Sequence, residues 1–341
     1  MQRSEGEKVI GRFGSNFRIA GEIAGHVIRH PSTIVSLGEK PIAASFDIAA
    51  NCNLRCQHCY LYEKEHQKEE FNDDSFLEQV RQFRQEQPGI IAATWVGGEP
   101  MWRKELLRKA VKLFPFNWVV TNGTVPIDGQ WHNTAFFISI DGPKDIHNQI
   151  RQPWKVARED TEYSVYDRAK HTANTATASV HVHTTINRLN ADTIPALVNE
   201  WKMETAVRGF AFSLHTPQVN DTRSSGMSET DEAFFLQPDE RKITVEMLID
   251  LKRQFGSFIM MSEEQIRLLL PENQLVAFGG NCPLSKTVVS LDSKFQRKEP
   301  CVMGPGMDCN KCGCSVPAMA KRWMQSKDLE SFLLAAKTVF K

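Results

Sequence analysis

The sequence predicts an α/β fold, a partial (β/α)6 barrel of TIM type followed by a C-terminal cysteine-rich extension. Three observations carry that expectation. Six segments of β character alternate with helical ones, the sign of βαβ units and a parallel sheet. Short polar signals stand just after the strand segments, at Gly97–Pro100, Asn122, Asp141 and Asn187. A β/α barrel gathers its site at those C-terminal strand ends. Finally, eight cysteines fall into two tight groups, where buried structural cysteines would be spread along core strands. Six repeats suit an open sheet as well as a partial barrel, and Gly, Asn and Asp are common turn residues. The alignment of all these signals at one end favours a single shared pocket.

Three segments are expected: an N-terminal helical segment (1–39), the barrel (40–217) and a C-terminal domain (218–341). Ser15–His30 reads as a helix with Phe17, Ile19, Ala20, Ile23, Ala24 and Ile28 apolar, stopped by Pro31. The first strand is Ile42–Ala49. A polar loop, Glu63–Asn72, leads to Asp73, Asp74 and Ser75, which offer N-cap chemistry to a helix with Phe76, Leu77, Val80 and Phe83 on one face. Pro88-Gly89 ends it. A strand at Ile90–Val96 is followed by a helix carrying Leu106, Leu107, Ala110, Val111 and Phe114. Strands at Trp118–Thr121 and Ala135–Ile140 come next, then helical material at Tyr163–Thr172 and an alternating strand at Ser179–Ile186. A helix at Asp192–Met203 and a strand at Val207–Leu214 complete the series. Beyond a polar stretch, Gln218–Asp231, lies a helix at Pro238–Phe255 with Ile243, Met247, Leu248 and Leu251 apolar. The chain from Gly279 onward reads as loop, and Leu329–Phe340 as a final amphipathic helix.

Composition excludes several classes. The 341 residues carry 41 Lys+Arg against 41 Asp+Glu, a neutral balance that argues against a general nucleic-acid binder. No run approaches the roughly 18–20 apolar residues of a membrane span. Met1–Gly11 is polar and lacks the apolar core of a signal peptide. The expected location is therefore cytoplasmic, a reducing compartment in which cysteines serve as thiolate ligands more often than as disulfides.

The first group is Cys52-Asn53-Leu54-Arg55-Cys56-Gln57-His58-Cys59-Tyr60. A structural zinc site uses four protein ligands, whereas three leave one position open. On a [4Fe–4S] cluster, three thiolates leave one iron free for a small molecule. The C-x3-C-x2-C spacing resembles the signature of the radical S-adenosylmethionine (SAM) superfamily, although His58 stands where an aromatic residue is usual. Gly97-Gly98-Glu99-Pro100 looks like the motif that holds the SAM amino group in that family. Ser139-Ile140-Asp141-Gly142 resembles its fourth-strand segment, where polar side chains meet the ribose. Asn122 fits the third strand end, and Asn187 the fifth, where related enzymes contact SAM. The resemblance spans Phe46–Asn187. It implies Cys52, Cys56 and Cys59 as cluster ligands, and Gly97, Gly98, Glu99, Pro100, Asn122, Ser139, Asp141, Asn187, His58 and Tyr60 as cofactor contacts. It also implies an enzyme that reductively cleaves SAM to a 5′-deoxyadenosyl radical, with an electron donor such as flavodoxin or ferredoxin. His181 and His183 read as structural. Arg151 suits a carboxylate or phosphate partner and a surface salt bridge equally.

The second group is Cys282-x18-Cys301-x7-Cys309-x2-Cys312-x1-Cys314. It suits a second Fe–S cluster or a zinc site, with Cys282, Cys301, Cys309 and Cys312 favoured as ligands and Cys314 spare. Its spacing, with Glu299-Pro300-Cys301, resembles the adenosylhopane-synthase group of radical SAM enzymes, transferases that add the adenosyl radical to a lipid alkene. That resemblance implies a small-molecule or lipid substrate. The alternatives are a peptide-modifying maturase and a non-catalytic metal-binding protein.

Overall fold

The computed structural model describes residues 40–61, 72–153, 164–218, 233–273, 282–304, 307–317 and 320. The expected segment 1–39 with its helix at Ser15–His30, the helix at Leu329–Phe340, and nearly all of the loops at Glu63–Asn72 and Gln218–Asp231 lie outside those residues. Among the described residues nine strands follow one another: β1 (Ala43–Ala49), β2 (Leu54–Cys56), β3 (Ala92–Gly97), β4 (Phe116–Thr121), β5 (Thr134–Ser139), β6 (Arg151–Pro153), β7 (Ser179–Ile186), β8 (Phe210–Leu214) and β9 (Val288–Leu291). Between them run helices α1 (Asp73–Glu86), α2 (Lys104–Ala110), α3 (Lys144–Ile150), α4 (Val165–Thr175), α5 (Ile194–Glu204), α6 (Pro238–Phe255), α7 (Glu263–Arg267) and α8 (Pro283–Thr287).

Seven strands form one parallel sheet in the order β8-β7-β5-β4-β3-β1-β9. The six expected barrel strands are adjacent in chain order, as successive right-handed βα units require. Among the described residues β8 and β9 are the sheet edges, so the barrel is partial. The seventh strand is a correction. Val288–Leu291 had read as loop, yet it pairs in register with β1, Ala43 opposite Val288 and Phe46 opposite Leu291. Four residues carry too little periodicity to announce a strand. The C-terminal segment thus contributes a strand to the barrel sheet.

Alternation divides each strand between two faces. Ala44, Phe46 and Ile48 of β1 join Trp95, Val119, Phe136, Val182 and Phe212 in one core under the helices. The intervening residues, Ser45, Asp47, Phe137, Ser139, His181, His183 and Ser213, turn to the barrel interior. Local chemistry sets the helix starts. Asn72, not the acidic residues after it, caps α1 by accepting from Ser75 N at 2.9 Å. Gln237 and Glu240 form a capping box on α6, with Pro238 in its first turn. That helix spans the expected residues, but its buried side differs: Val245, Leu248, Ile249 and Leu251 are inside, whereas Ile243 is 68% exposed. Arg241 takes an inward position because its guanidinium is satisfied there (below). No helix among the described residues is long and apolar enough to cross a membrane.

Asn117 is a buried polar post between strands and helices. Its carbonyl accepts from Trp95 Nε1 at 2.9 Å, and its amide donates to Val111 O at 2.8 Å and Phe114 O at 3.1 Å. Asn117→Ala should destabilise the protein by about 1–3 kcal/mol for each buried group left unpaired. Urea denaturation measures this, and an unchanged midpoint would refute the assignment.

Candidate active site

Cys52, Cys56 and Cys59 follow β1 directly. β2 pairs antiparallel with β6, which sets Cys56 opposite Arg151. Cys59 N donates to Cys56 O at 3.2 Å, and Gln57 N to Ile150 O at 3.0 Å, so the loop is bent and anchored by its own backbone. Two sulfurs receive donors. Leu54 N and Asn122 Nδ2 reach Cys52 Sγ at 3.4 and 3.7 Å, and Arg151 Nη1 reaches Cys56 Sγ at 3.7 Å. Cys52 and Cys59 pack against Leu54, Cys56 and Val165 in a small apolar cluster. Burial pushes the Cys56 thiol up to about 12, with the negative charges of Cys59 and Asp141 adding to it and Arg151 opposing. Burial also raises Cys52 well above its ordinary value. Such thiols ionise when a cationic metal group supplies the missing charge. Among the described residues no three ligating side chains close on one metal ion. A cubane asks something else, one thiolate for each of several irons. Three mutually repelling thiols, Cys56 buried and Cys52 and Cys59 half-buried, with N–H donors on the sulfurs of Cys52 and Cys56, fit such a cluster.

The glycine pair explains how β3 meets this loop. A Cβ on Gly97 would lie 2.3 Å from Ala49 O, and one on Gly98 would lie 2.1 Å from Asn51 O. Gly97 also has φ +114°, a left-handed region that favours glycine. With no side chains in the way, Gly98 N donates to Ala49 O at 2.6 Å and Glu99 N to Asn51 O at 2.9 Å. Glu99 is fully buried. Its carboxylate accepts from Thr121 Oγ1 at 2.6 Å, Asn122 N at 2.8 Å and Met101 N at 2.9 Å. Burial raises its pKa and these bonds pull it back down. Pro100 begins the short 3-10 turn Pro100–Arg103 that this carboxylate caps. Asn122 Nδ2 donates to Asn53 Oδ1 at 2.8 Å, Asn53 Nδ2 to Thr124 Oγ1 at 2.8 Å, and Thr124 Oγ1 to Asn122 Oδ1 at 2.6 Å. This ring ties the cysteine loop to the end of β4.

Asp141, fully buried beyond β5, accepts from Arg151 Nε at 2.6 Å and Thr185 N at 3.1 Å, and meets His58 Nε2 at 3.4 Å. Burial alone would raise its pKa, but the charges of Arg151 and His58 outweigh it and hold the carboxyl at about 2. Burial lowers His58 to about 4. Ser139, the last residue of β5, is buried as well. Asn187 behaves differently. Its side chain serves its own turn, accepting from Leu189 N at 2.9 Å and donating to Thr185 O at 3.4 Å. Asn190 instead reaches the Asp141 carbonyl, at 2.6 Å.

The second cysteine group stands at the same barrel mouth. Leu214 N, at the end of β8, donates to Gly313 O at 2.7 Å, and Gly313 N donates to Thr216 Oγ1 at 2.9 Å. A Cβ on Gly313 would lie 2.2 Å from Leu214 O. Ser315 N donates to Ser213 Oγ at 3.2 Å, and His183 Nε2 lies 3.1 Å from that hydroxyl. From α6, Arg241 donates to Leu269 O at 2.6 Å and Cys312 O at 2.9 Å. Burial raises the thiols of Cys301, Cys309, Cys312 and Cys314, and the charge of Cys282 adds to each, so all five cysteines share one electrostatic neighbourhood. Cys314 is thus placed with the group and not apart from it.

Lys298 connects the two groups. Its ammonium holds both oxygens of Asp47, at 2.9 and 2.7 Å, and lies 5.8 Å from the Tyr60 ring centroid. Burial raises Asp47, and Lys298 opposes the shift. Burial raises Tyr60 well above its ordinary value, as do the charges of Asp47, Cys59, Cys301 and Cys314. Lys298→Met would leave Asp47 buried and uncompensated, a loss of about 3–5 kcal/mol. Adding Asp47→Asn should recover part of it, and equal destabilisation in single and double variants would rule the pair out as the cause.

A radical SAM superfamily model matches residues 47–200 of this chain. The match covers the cysteine loop, the Gly97–Pro100 turn and the Asp141 segment. Over residues 47–200, just under half of the chain, the sequence is similar to the radical SAM superfamily. The radical SAM superfamily consists of enzymes that use a [4Fe–4S] cluster and SAM, and the partial α/β barrel is the fold it shares. A serine-type anaerobic sulfatase-maturating enzyme of Bacteroides thetaiotaomicron is 30% identical over 31% of this chain and 30% of its own length. Solved structures with the same fold include anSMEcpe with bound AdoMet (TM-score 0.57, 17% identity, covering 81% of this chain and 80% of that one). Another is Streptococcus suis SuiB bound to its precursor peptide SuiA (TM-score 0.55, 13% identity, 83% and 64%). The chain therefore spans about a third of the curated relative and just under two thirds of SuiB.

Several residues at this site were not singled out from sequence. Thr121, Asn53 and Thr124 flank singled-out residues and could have been inferred from position. Lys298 and Asp47 are 251 residues apart, and nothing local signals their pairing.

Proposed function

We propose that this chain is a radical SAM enzyme acting on a peptide or protein substrate. The observation that carries the activity is the joining of an open three-cysteine loop to a buried Glu99 through Gly97 and Gly98. In this reading Cys52, Cys56 and Cys59 hold a [4Fe–4S] cluster. Glu99 takes the ammonium of SAM, and Gly97, Gly98 and Pro100 present it. Asn122, Ser139, Asp141, His58, Tyr60 and Asn187 surround the remainder, Asn187 through its turn. When bound, that cluster would supply one-electron reducing chemistry toward the SAM sulfonium. The chain's own residues keep the cluster loop rigid, exclude water by burial and present the substrate. Cys282, Cys301, Cys309 and Cys312, with Cys314 beside them, hold a second Fe–S cluster. Residues 40–217 act as the barrel and 218–341 as its cysteine-bearing partner. A flavodoxin or ferredoxin supplies electrons.

The substrate class rests on two supports. The relatives found are named for sulfatase maturation or are bound to a precursor peptide. The barrel interior also carries the buried polar residues Ser45, Asp47, Ser139, His181, Ser213 and Ser290, a lining that suits a hydrogen-bonding substrate better than a lipid alkene. The adenosylhopane-like reading is the second choice. Anaerobic reconstitution followed by SAM and dithionite tests the activity, with nucleoside products resolved by chromatography. Release of 5′-deoxyadenosine that rises with a Ser- or Cys-containing peptide supports the proposal. No SAM cleavage overturns it, and an adenosyl adduct on an alkene lipid restores the second choice.

A further inference from the structure

Arg151 holds a position that the reading above does not use. Strand pairing between β2 and β6 places it opposite Cys56. It is 9% exposed, beside a fully buried Asp141. Its Nη1 donates to Cys56 Sγ at 3.7 Å while its Nε is fixed by Asp141 Oδ2 at 2.6 Å. The donors on Cys52, Leu54 N and Asn122 Nδ2, are neutral. A guanidinium keeps its charge at any working pH. The sulfur of Cys56 therefore meets a fixed cation, and that cation is in turn offset by one carboxylate.

We propose that Arg151 is a positioning residue that sets the reduction potential of the cluster held by Cys56, with Asp141 as its counterweight. The proposal rests on the reading of Cys52, Cys56 and Cys59 as cluster ligands. Uptake of one electron from an external reductant adds one negative charge to the cluster. Hydrogen bonds to the ligating sulfurs and nearby positive charge stabilise that reduced form, and the potential rises. Asp141 limits the rise by sharing the guanidinium's charge and holds the donor in place.

The two residues then act with opposite sign. Arg151→Gln should move the midpoint to more negative values, and Arg151→Lys should move it less. Asp141→Asn, which keeps a hydrogen-bond acceptor for Arg151, should move it to more positive values. The test is a dithionite titration of the whole reconstituted chain, followed by electron paramagnetic resonance, with iron counted in each preparation. The signal that changes on adding SAM identifies the first cluster. Opposite shifts for Arg151→Gln and Asp141→Asn at undiminished iron support the proposal, because a purely structural role would lose iron in both and shift neither. Should Arg151→Gln fail to load iron, Arg151→Lys and Asp141→Asn decide, and unchanged midpoints in both overturn the proposal. A wild-type protein with no SAM-sensitive signal overturns the ligand reading itself, and this inference with it.

Discussion

A Cys56→Ala variant is expected to lose SAM cleavage completely while keeping the iron of the second group. Cys56 supplies one of only three thiolates in the first group, so its removal leaves two corners of a cubane without protein ligands. Its backbone also forms the β2–β6 pair, which alanine preserves, so the loss is of a ligand and not of the loop. Reconstituted wild type should hold about eight irons and the variant about four, taking four per [4Fe–4S] site. Cys312→Ala should do the reverse, losing about four irons while retaining SAM cleavage in the absence of substrate. Cleavage that survives Cys56→Ala would refute the ligand assignment. A wild-type count near four would refute the second cluster.

Gly98→Ala is expected to be nearly as damaging without removing any ligand. Its methyl would sit 2.1 Å from the carbonyl oxygen of Asn51, inside the wall of the cysteine loop. Backbone is what it meets, so no flexible side chain can give way. The loop or the Glu99 turn must move by an ångström or so, and misplacement on that scale costs about a hundredfold in rate. The fold itself should lose only about 1–3 kcal/mol, as for other overpacked sites. Gly89→Ala is the matched control, because nothing lies within 4 Å of a Cβ there. Equal rates for the two variants would show that the contact between β3 and the cysteine loop is not needed.

Much of the barrel was legible because its signals are local. Each of the six strands carries a run of apolar residues next to a turn signal. The helix at Pro238–Phe255 announces itself with a Pro at its start and apolar residues at Met247, Leu248 and Leu251. The cysteine loop and Gly97–Pro100 were legible for a related reason, since close backbone approach demands glycine and metal binding demands cysteine. The face of α6 was misjudged at Ile243 because hydropathy cannot foresee that Arg241 is buried by donating to Leu269 and Cys312 carbonyls. Strand β9 escaped notice because four residues acquire strand geometry only through the edge of β1.

By itself, the sequence determined the residue types whose chemistry is intrinsic: thiolates in two groups, a glycine pair before an acid, and polar residues at successive strand ends. Tertiary structure alone decided which of these meet. It set Arg151 against Cys56, brought Lys298 to Asp47, placed Cys314 among the other four cysteines, and turned Asn187 into its own loop. The physical reason is that a ligand type or a backbone allowance belongs to one residue. A charge pair or a hydrogen bond across the barrel depends on distances that exist only once the strands are in register.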